Sequence, residues 1–89
     1  MLALPQTLTM GGAPDTLRML SQALQREPGD SLSIDASALR QFDSAAIAVL
    51  LECRRLAQAW GKSFEVHAAP QKLRDLAHMY GVQELVRLT

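Results

Sequence analysis

The chain predicts an α/β fold, a small and mostly parallel sheet of four or so strands carrying three to four helices. Three observations lead there. Strand-sized and helix-sized apolar patterns alternate along the sequence, as they do when parallel strands are joined by right-handed helical crossovers. Proline opens two of the helical patterns, and glycine closes two of them. Finally, a short apolar strand, Leu32-Ser33-Ile34-Asp35, leads through a loop into the unbroken run Phe42-Asp43-Ser44-Ala45-Ala46-Ile47-Ala48-Val49-Leu50-Leu51.

Taken in order, Leu8 and Met10 alternate with Thr7 and Thr9, which predicts a strand near 7–10. Pro5 cannot donate to a ladder, so this is an edge strand or two very short ones. Gly11-Gly12 ends it. Pro14 and Asp15 suit a first helical turn, and Leu17, Leu20 and Leu24 recur at helical spacing. They predict a helix over 14–27, stopped by Pro28-Gly29-Asp30. A second strand covers 31–35, and residues 36–43 form a loop.

The second helix, over 44–60, is the best-defined element. Ala46, Leu50, Cys53, Ala57 and Trp60 fall on one stripe and are expected to be buried. Gly61 suits a left-handed cap. Ser63 to His67 alternates as a third strand over 63–67. Pro70 opens a third helix over 70–80, with Leu73, Leu76, Ala77 and Tyr80 inward and Gly81 ending it. Leu85 to Leu88 offers a last short strand or a frayed helical turn.

Eighty-nine residues, 48% of them hydrophobic, read as one domain over 1–89 with an aliphatic core. Nine basic residues cancel nine acidic ones, which removes any charge-driven case for nucleic acid or anionic lipid. Arg54, Arg55, Lys62, Lys72 and Arg74 do outnumber Glu52 and Glu65 within 52–74, and a solvated face accounts for that. One cysteine excludes an internal disulfide framework and fits a reducing compartment. No apolar run approaches the roughly 18 residues of a membrane span. Met1-Leu2-Ala3-Leu4-Pro5 is too short and uncharged for a signal peptide, so the expectation is a cytoplasmic chain.

Catalytic chemistry finds no support. His67 and His78 have no partners at ligand or triad spacing, and Cys53 belongs to a buried stripe. Gly11-Gly12 lacks the spacing and the lysine of a phosphate loop. Asp35 and Asp43 read as turn-ordering aspartates rather than a catalytic pair. No metal, no cofactor and no catalytic residue is expected.

Ser44 sits where loop becomes helix. Its hydroxyl there is either an N-cap, worth about 1 kcal/mol, or a docking and phosphorylation point. Residue chemistry alone leaves both open. Ser44, Ala48, Leu51 and Arg55 recur at spacings of four, three and four, on the face opposite the buried stripe. That outward face is small, small, apolar and cationic, where a solvated helix would carry Lys and Glu. It reads as a docking strip.

The Asp43-Ser44 run, between a preceding strand and a following apolar helix, resembles the signature of STAS domains (sulphate transporter and anti-sigma factor antagonist). From residue 32 to Gly81 the chain is similar to that family, and most similar to its short MlaB-type accessory proteins of a phospholipid-transporting ABC system. Ile34-Asp35, Phe42-Asp43-Ser44, Arg54-Arg55, Gly61-Lys62 and Leu73-Leu76-Ala77-Tyr80-Gly81 carry the similarity. The resemblance implies a non-catalytic regulatory subunit that binds the cytoplasmic ATPase of the transporter, peripheral to the inner membrane. It implies contacts from Asp43, Ser44, Ala45, Ile47, Ala48, Leu51 and Arg55. The alternative it carries is an anti-sigma factor antagonist, switched when a partner serine kinase phosphorylates Ser44.

Overall fold

The structure is a computed structural model that describes residues 2–86 and 88. Five strands and four helices follow one another among these residues. They are β1 (Leu2–Ala3), β2 (Thr7–Leu8), α1 (Ala13–Arg26), β3 (Ser31–Asp35), β4 (Gln41–Phe42), α2 (Ser44–Ala59), β5 (Ser63–His67), α3 (Gln71–Met79) and α4 (Gln83–Val86).

Leu32 and Ile34 of β3 face the same way as Phe64 and Val66 of β5, and all four are buried. Their apolar burial against the helices holds the centre of the sheet. β3 lies in the middle of a parallel three-stranded sheet in the order β1-β3-β5, with Leu2 opposite Ile34 and Ile34 opposite Val66. Parallel neighbours need crossovers, which α1 and α2 supply. Leu88 adds an isolated parallel bridge to Val66. Of the expected strand or helical turn at Leu85 to Leu88, Leu85 and Val86 belong to α4 and Leu88 to this bridge; Met1, Arg87 and Thr89 lie outside the described residues.

The other face of the sheet is polar and half-exposed. Ser33, Asp35, Glu65 and His67 alternate with the buried residues of β3 and β5. There the Ser33 hydroxyl donates to Glu65 Oε1 at 3.3 Å, and His67 Nε2 lies 2.9 Å from the same oxygen. Asp35 accepts from the Ser37 amide at 2.9 Å, which orders the turn after β3 and holds its carboxyl below the usual range.

α2 is the centre of the helical layer, packed against α1, α3, α4 and β5. Ala46, Leu50, Cys53 and Ala57 are buried as their spacing requires, and so are Ala45, Ile47 and Val49. Its end is a Schellman turn: Gly61, at φ +72°, donates to the Gln58 carbonyl and Lys62 to that of Ala57. The same turn closes α3, where Gly81 donates to His78 and Val82 to Ala77.

Three expectations are corrected here. Trp60 is half-buried, at the rim of the core, because it is the C-cap of α2 and the inward stripe stops with the helix at Ala59. Tyr80 is 54% exposed for the same reason, as the C-cap of α3. Leu73 and Ala77 are buried and Leu76 partly so. Third, residues 36–43 are not all loop. Gln41–Phe42 pairs in parallel with Thr7–Leu8 as a second small sheet; over residues 2–10 the chain forms two very short strands, Leu2–Ala3 and Thr7–Leu8, in different sheets. A ladder of two residues carries no period-two signal.

Burial, with Glu52 adding to it, pushes the Cys53 thiol up to about 12. A thiol so desolvated holds little thiolate at neutral pH. Cys53 is therefore expected to resist a disulfide-exchange reagent in native buffer and to react fully once guanidinium unfolds the chain. Rapid native labelling, followed by absorbance, would put the inner stripe of α2 in the wrong place.

Candidate functional site

The start of α2 is built by Asp43. With its backbone extended, it is the N-cap, and its Oδ1 accepts from the Ala45 amide at 2.8 Å. Its Oδ2 accepts from the Met10 amide at 3.2 Å. One carboxylate thus satisfies a free helix-end donor and fastens the loop after β2 to the same point. The β2–β4 ladder carries Phe42 to this position, with Arg40 and Gln41 both donating to the Gln6 carbonyl at 2.7 and 3.0 Å.

Ser44 is consequently not the cap. It occupies the first helical position, half-buried, and among the described residues its hydroxyl has no hydrogen-bond partner. The cap role that the sequence leaves open for Ser44 belongs to Asp43. What remains at Ser44 is an unengaged hydroxyl at the positive end of a 16-residue helix.

The outward strip forms as spaced, with differences in depth. Ala48 and Arg55 are exposed, and Ser44 and Leu51 are half-buried. Leu51 leans on the edge of the core. Arg55 turns along the helix to Glu52, its Nε donating to both carboxylate oxygens at 3.0 Å. Those bonds hold the Glu52 carboxyl below its usual range and raise Arg55 above its own. Arg55 therefore closes the strip as a paired charge. Ala45 and Ile47, expected among the contact residues, are 6% and 4% exposed. At about 100° per residue they fall on the two flanks of the strip, where they floor the grooves on either side and present almost no surface.

Three open grooves meet at Ser44. One runs between α1 and α2, lined by Met10, Ala13, Pro14 and Leu17 with Ser44, Ala45, Ala48 and Val49. A second lies between the strip and the α3–α4 turn, lined by Ser44, Ile47, Ala48, Leu51, Tyr80 and Val82. The third lies between Asp43 and α3, where Phe42, Leu76, Met79 and Tyr80 are edged by Lys72 and Asp75. Met10, Met79 and Tyr80 are 70%, 75% and 54% exposed, so three of the five large exposed apolar side chains among the described residues border one hydroxyl. Sequence spacing misses all three. Met10 sits in a loop, and Met79 and Tyr80 fall where the third helix ends.

On the open sheet face, Ser33 and His67 both address Glu65 Oε1, so the carboxylate stands between them and the imidazole has no hydroxyl to activate. Among the described residues no three His, Cys, Asp or Glu side chains are grouped to hold a metal ion. No helix among them is long and apolar enough to cross a membrane.

The division of labour between Asp43 and Ser44 is open to a direct measurement. Asp43→Ala is expected to cost about 1–2 kcal/mol, since it removes both the cap and the tie to Met10. Ser44→Ala should stay within about 0.5 kcal/mol of the parent. Thermal melts that reversed this order would return the cap to Ser44.

A family model described as Mlab, STAS domain matches residues 1–87 of the chain. No curated protein is found to match it. Proteins of that family serve accessory and regulatory roles and are generally non-catalytic, which accords with a small parallel α/β fold whose chief surface feature is an apolar patch around a helix-end serine. The chain belongs to the MlaB-type STAS domain family.

Proposed function

We propose that this chain is a non-catalytic accessory subunit that docks, through the surface around Ser44, on the cytoplasmic ATPase of a phospholipid-transporting ABC system. It would thereby sit at the inner membrane without entering it. The observation that carries the reading is the gathering of Met10, Met79 and Tyr80 about the small residues Ser44 and Ala48. Exposed aromatic and methionine side chains are what protein interfaces favour at their centres. Small residues between them let a partner backbone approach closely. The MlaB-type membership supports the choice of an ABC-transporter ATPase as the partner.

Asp43 beside Ser44 apart, the charges named keep to the margin of this surface. Lys72 and Asp75 stand on one side, and the Arg55–Glu52 pair closes the far end of the strip. A partner therefore meets an apolar centre with a polar rim, the ordinary anatomy of a docking surface. Asp43 spends both carboxylate oxygens on backbone amides, which leaves less of its charge to oppose an approaching apolar group.

A second reading has one observation in its favour. The unengaged Ser44 hydroxyl at a helix N-terminus suits a phosphate acceptor, as in an anti-sigma factor antagonist switched by a serine kinase. A phosphate would add about −1.5 to −2 charges, favoured by the helix dipole and opposed by Asp43 beside it. Incubation with the partner kinase of such a system and peptide mapping decides it: phosphate at Ser44 supports that reading, and none removes it.

Leu51→Glu is a poor probe of docking, because Leu51 rests on the core and a charge there would burden the fold as well. Ala48 is exposed and free of that complication. Ala48→Glu and Ser44→Glu are each expected to leave the melting temperature nearly unchanged and to weaken binding to the ATPase subunit by about 2 kcal/mol or more. Ser33→Ala, on the open sheet face, should bind as the parent does. Calorimetric titration reads all three, and undiminished binding by both glutamate variants would place the interface elsewhere.

A further inference from the structure

We propose that Met10 and Met79 are modification sites through which a peroxide weakens docking of this surface, by converting their thioethers to sulfoxides that reductases can reverse. The proposal rests on the docking reading above. It begins from where the sulfur lies. The one cysteine, Cys53, is fully buried in the inner stripe of α2, out of reach of a solvent oxidant. Met10 and Met79 are the two most exposed large apolar side chains among the described residues, at 70% and 75%. Susceptibility to oxidation follows exposure, so an oxidant meets these thioethers first.

Their placement turns exposure into consequence. Met10 is held beside the start of α2 by the hydrogen bond that its backbone amide donates to Asp43 Oδ2, and its side chain lines the α1–α2 groove. Met79 lines the groove on the other side of Ser44, between Asp43 and α3. The two methionines therefore flank the hydroxyl at the centre of the patch. Met19, 53% exposed on α1, lines none of the three grooves and is an internal reference.

The step is a two-electron oxygen transfer. The thioether sulfur attacks one oxygen of hydrogen peroxide, the O–O bond breaks as the S–O bond forms, and the second oxygen leaves with both protons as water. Sulfur is oxidised and peroxide reduced. A flexible apolar side chain becomes a polar one with a strong acceptor. Docking must then desolvate that acceptor within a mostly apolar surface. The fold is untouched, since neither methionine is part of the core.

The test uses the whole chain, with the ATPase subunit of the phospholipid ABC system from the same genome as probe. Peptide mapping by mass spectrometry follows oxidation at Met10, Met19 and Met79, and circular dichroism checks that the fold persists. Peroxide is expected to weaken binding by about tenfold or more, the size expected for contacts near an interface centre. Methionine sulfoxide reductases of both stereospecificities should restore it. The Met10→Leu/Met79→Leu double variant should keep whatever affinity it starts with through the same treatment, and Met19→Leu should not be protected. In the complex, Met10 and Met79 should oxidise more slowly while Met19 does not. Equal binding before and after peroxide, or a loss that persists in the double leucine variant, overturns the proposal and leaves the docking reading standing. No binding before peroxide removes the docking reading, and this one with it.

Discussion

The two hydrogen bonds of the Asp43 carboxylate are the constraint on which the rest of the functional surface depends. One oxygen begins α2 and the other fixes the loop that carries Met10. Without the first, the helix would start at an ill-defined point. Without the second, the groove between α1 and α2 would lose one wall. The arrangement also explains why a serine at the start of a helix can be left unengaged. A cap is worth about 1 kcal/mol, and a serine in that position would ordinarily supply it. Here the residue before it does so, and the hydroxyl is released from structural work.

The sheet imposes the second constraint. Parallel strands are usually covered on both faces, yet here one face of β3 and β5 is left polar and half-exposed. The apolar burial must then occur on the other side, and α2 takes the largest share of any helix, with seven buried residues. A helix that apolar is normally enclosed on every side. α1, α3, α4 and β5 pack against α2, and over its first two turns this leaves only Ser44, Ala48 and Leu51 in contact with solvent. The proposed docking surface is thus the residual outer edge of the helix at the centre of the helical layer. Its composition follows from that. Small residues stand where α1 and the α3–α4 turn crowd close, and charge waits until the helix has passed them.

Sequence periodicity made the long elements legible, and its failures have one physical origin. Strands of five residues at Ser31–Asp35 and Ser63–His67 and the helix from Ser44 fell where alternation and helical spacing put them. Each has enough residues for its period to repeat. Periodicity went wrong at the ends. Trp60 and Tyr80 each extend an inward stripe by one step, but each is the residue at which helical geometry gives way to a glycine-closed turn. β4 was illegible because two paired residues have no period at all. The site shows the same division: the strip on α2 could be read from its spacing, whereas Met10 and Met79 arrive from a loop and a helix end. Only the tertiary fold brings them beside Ser44. The exchange of roles between Asp43 and Ser44 was equally beyond periodicity, since both residue types cap helices well and only the extended backbone at position 43 distinguishes them.

The balance between these surfaces also says what the molecule is suited to do. A catalytic centre needs several polar groups converging in a place from which water is excluded. Around Ser44 the reverse holds: one free hydroxyl lies among open apolar grooves, and the nearest carboxylate is committed to backbone amides. What the arrangement does offer is apolar area that water now covers and a partner can cover instead. Tyr80 brings a rigid ring to that area at low entropic cost, and Met10 and Met79 bring side chains that adapt to an irregular partner. In the proposed docking, the hydroxyl at the centre would act through its neutrality. An apolar surface docks across an uncharged oxygen at modest cost, but the same surface closing over a charge must desolvate it, which makes position 44 the point where one added charge changes most.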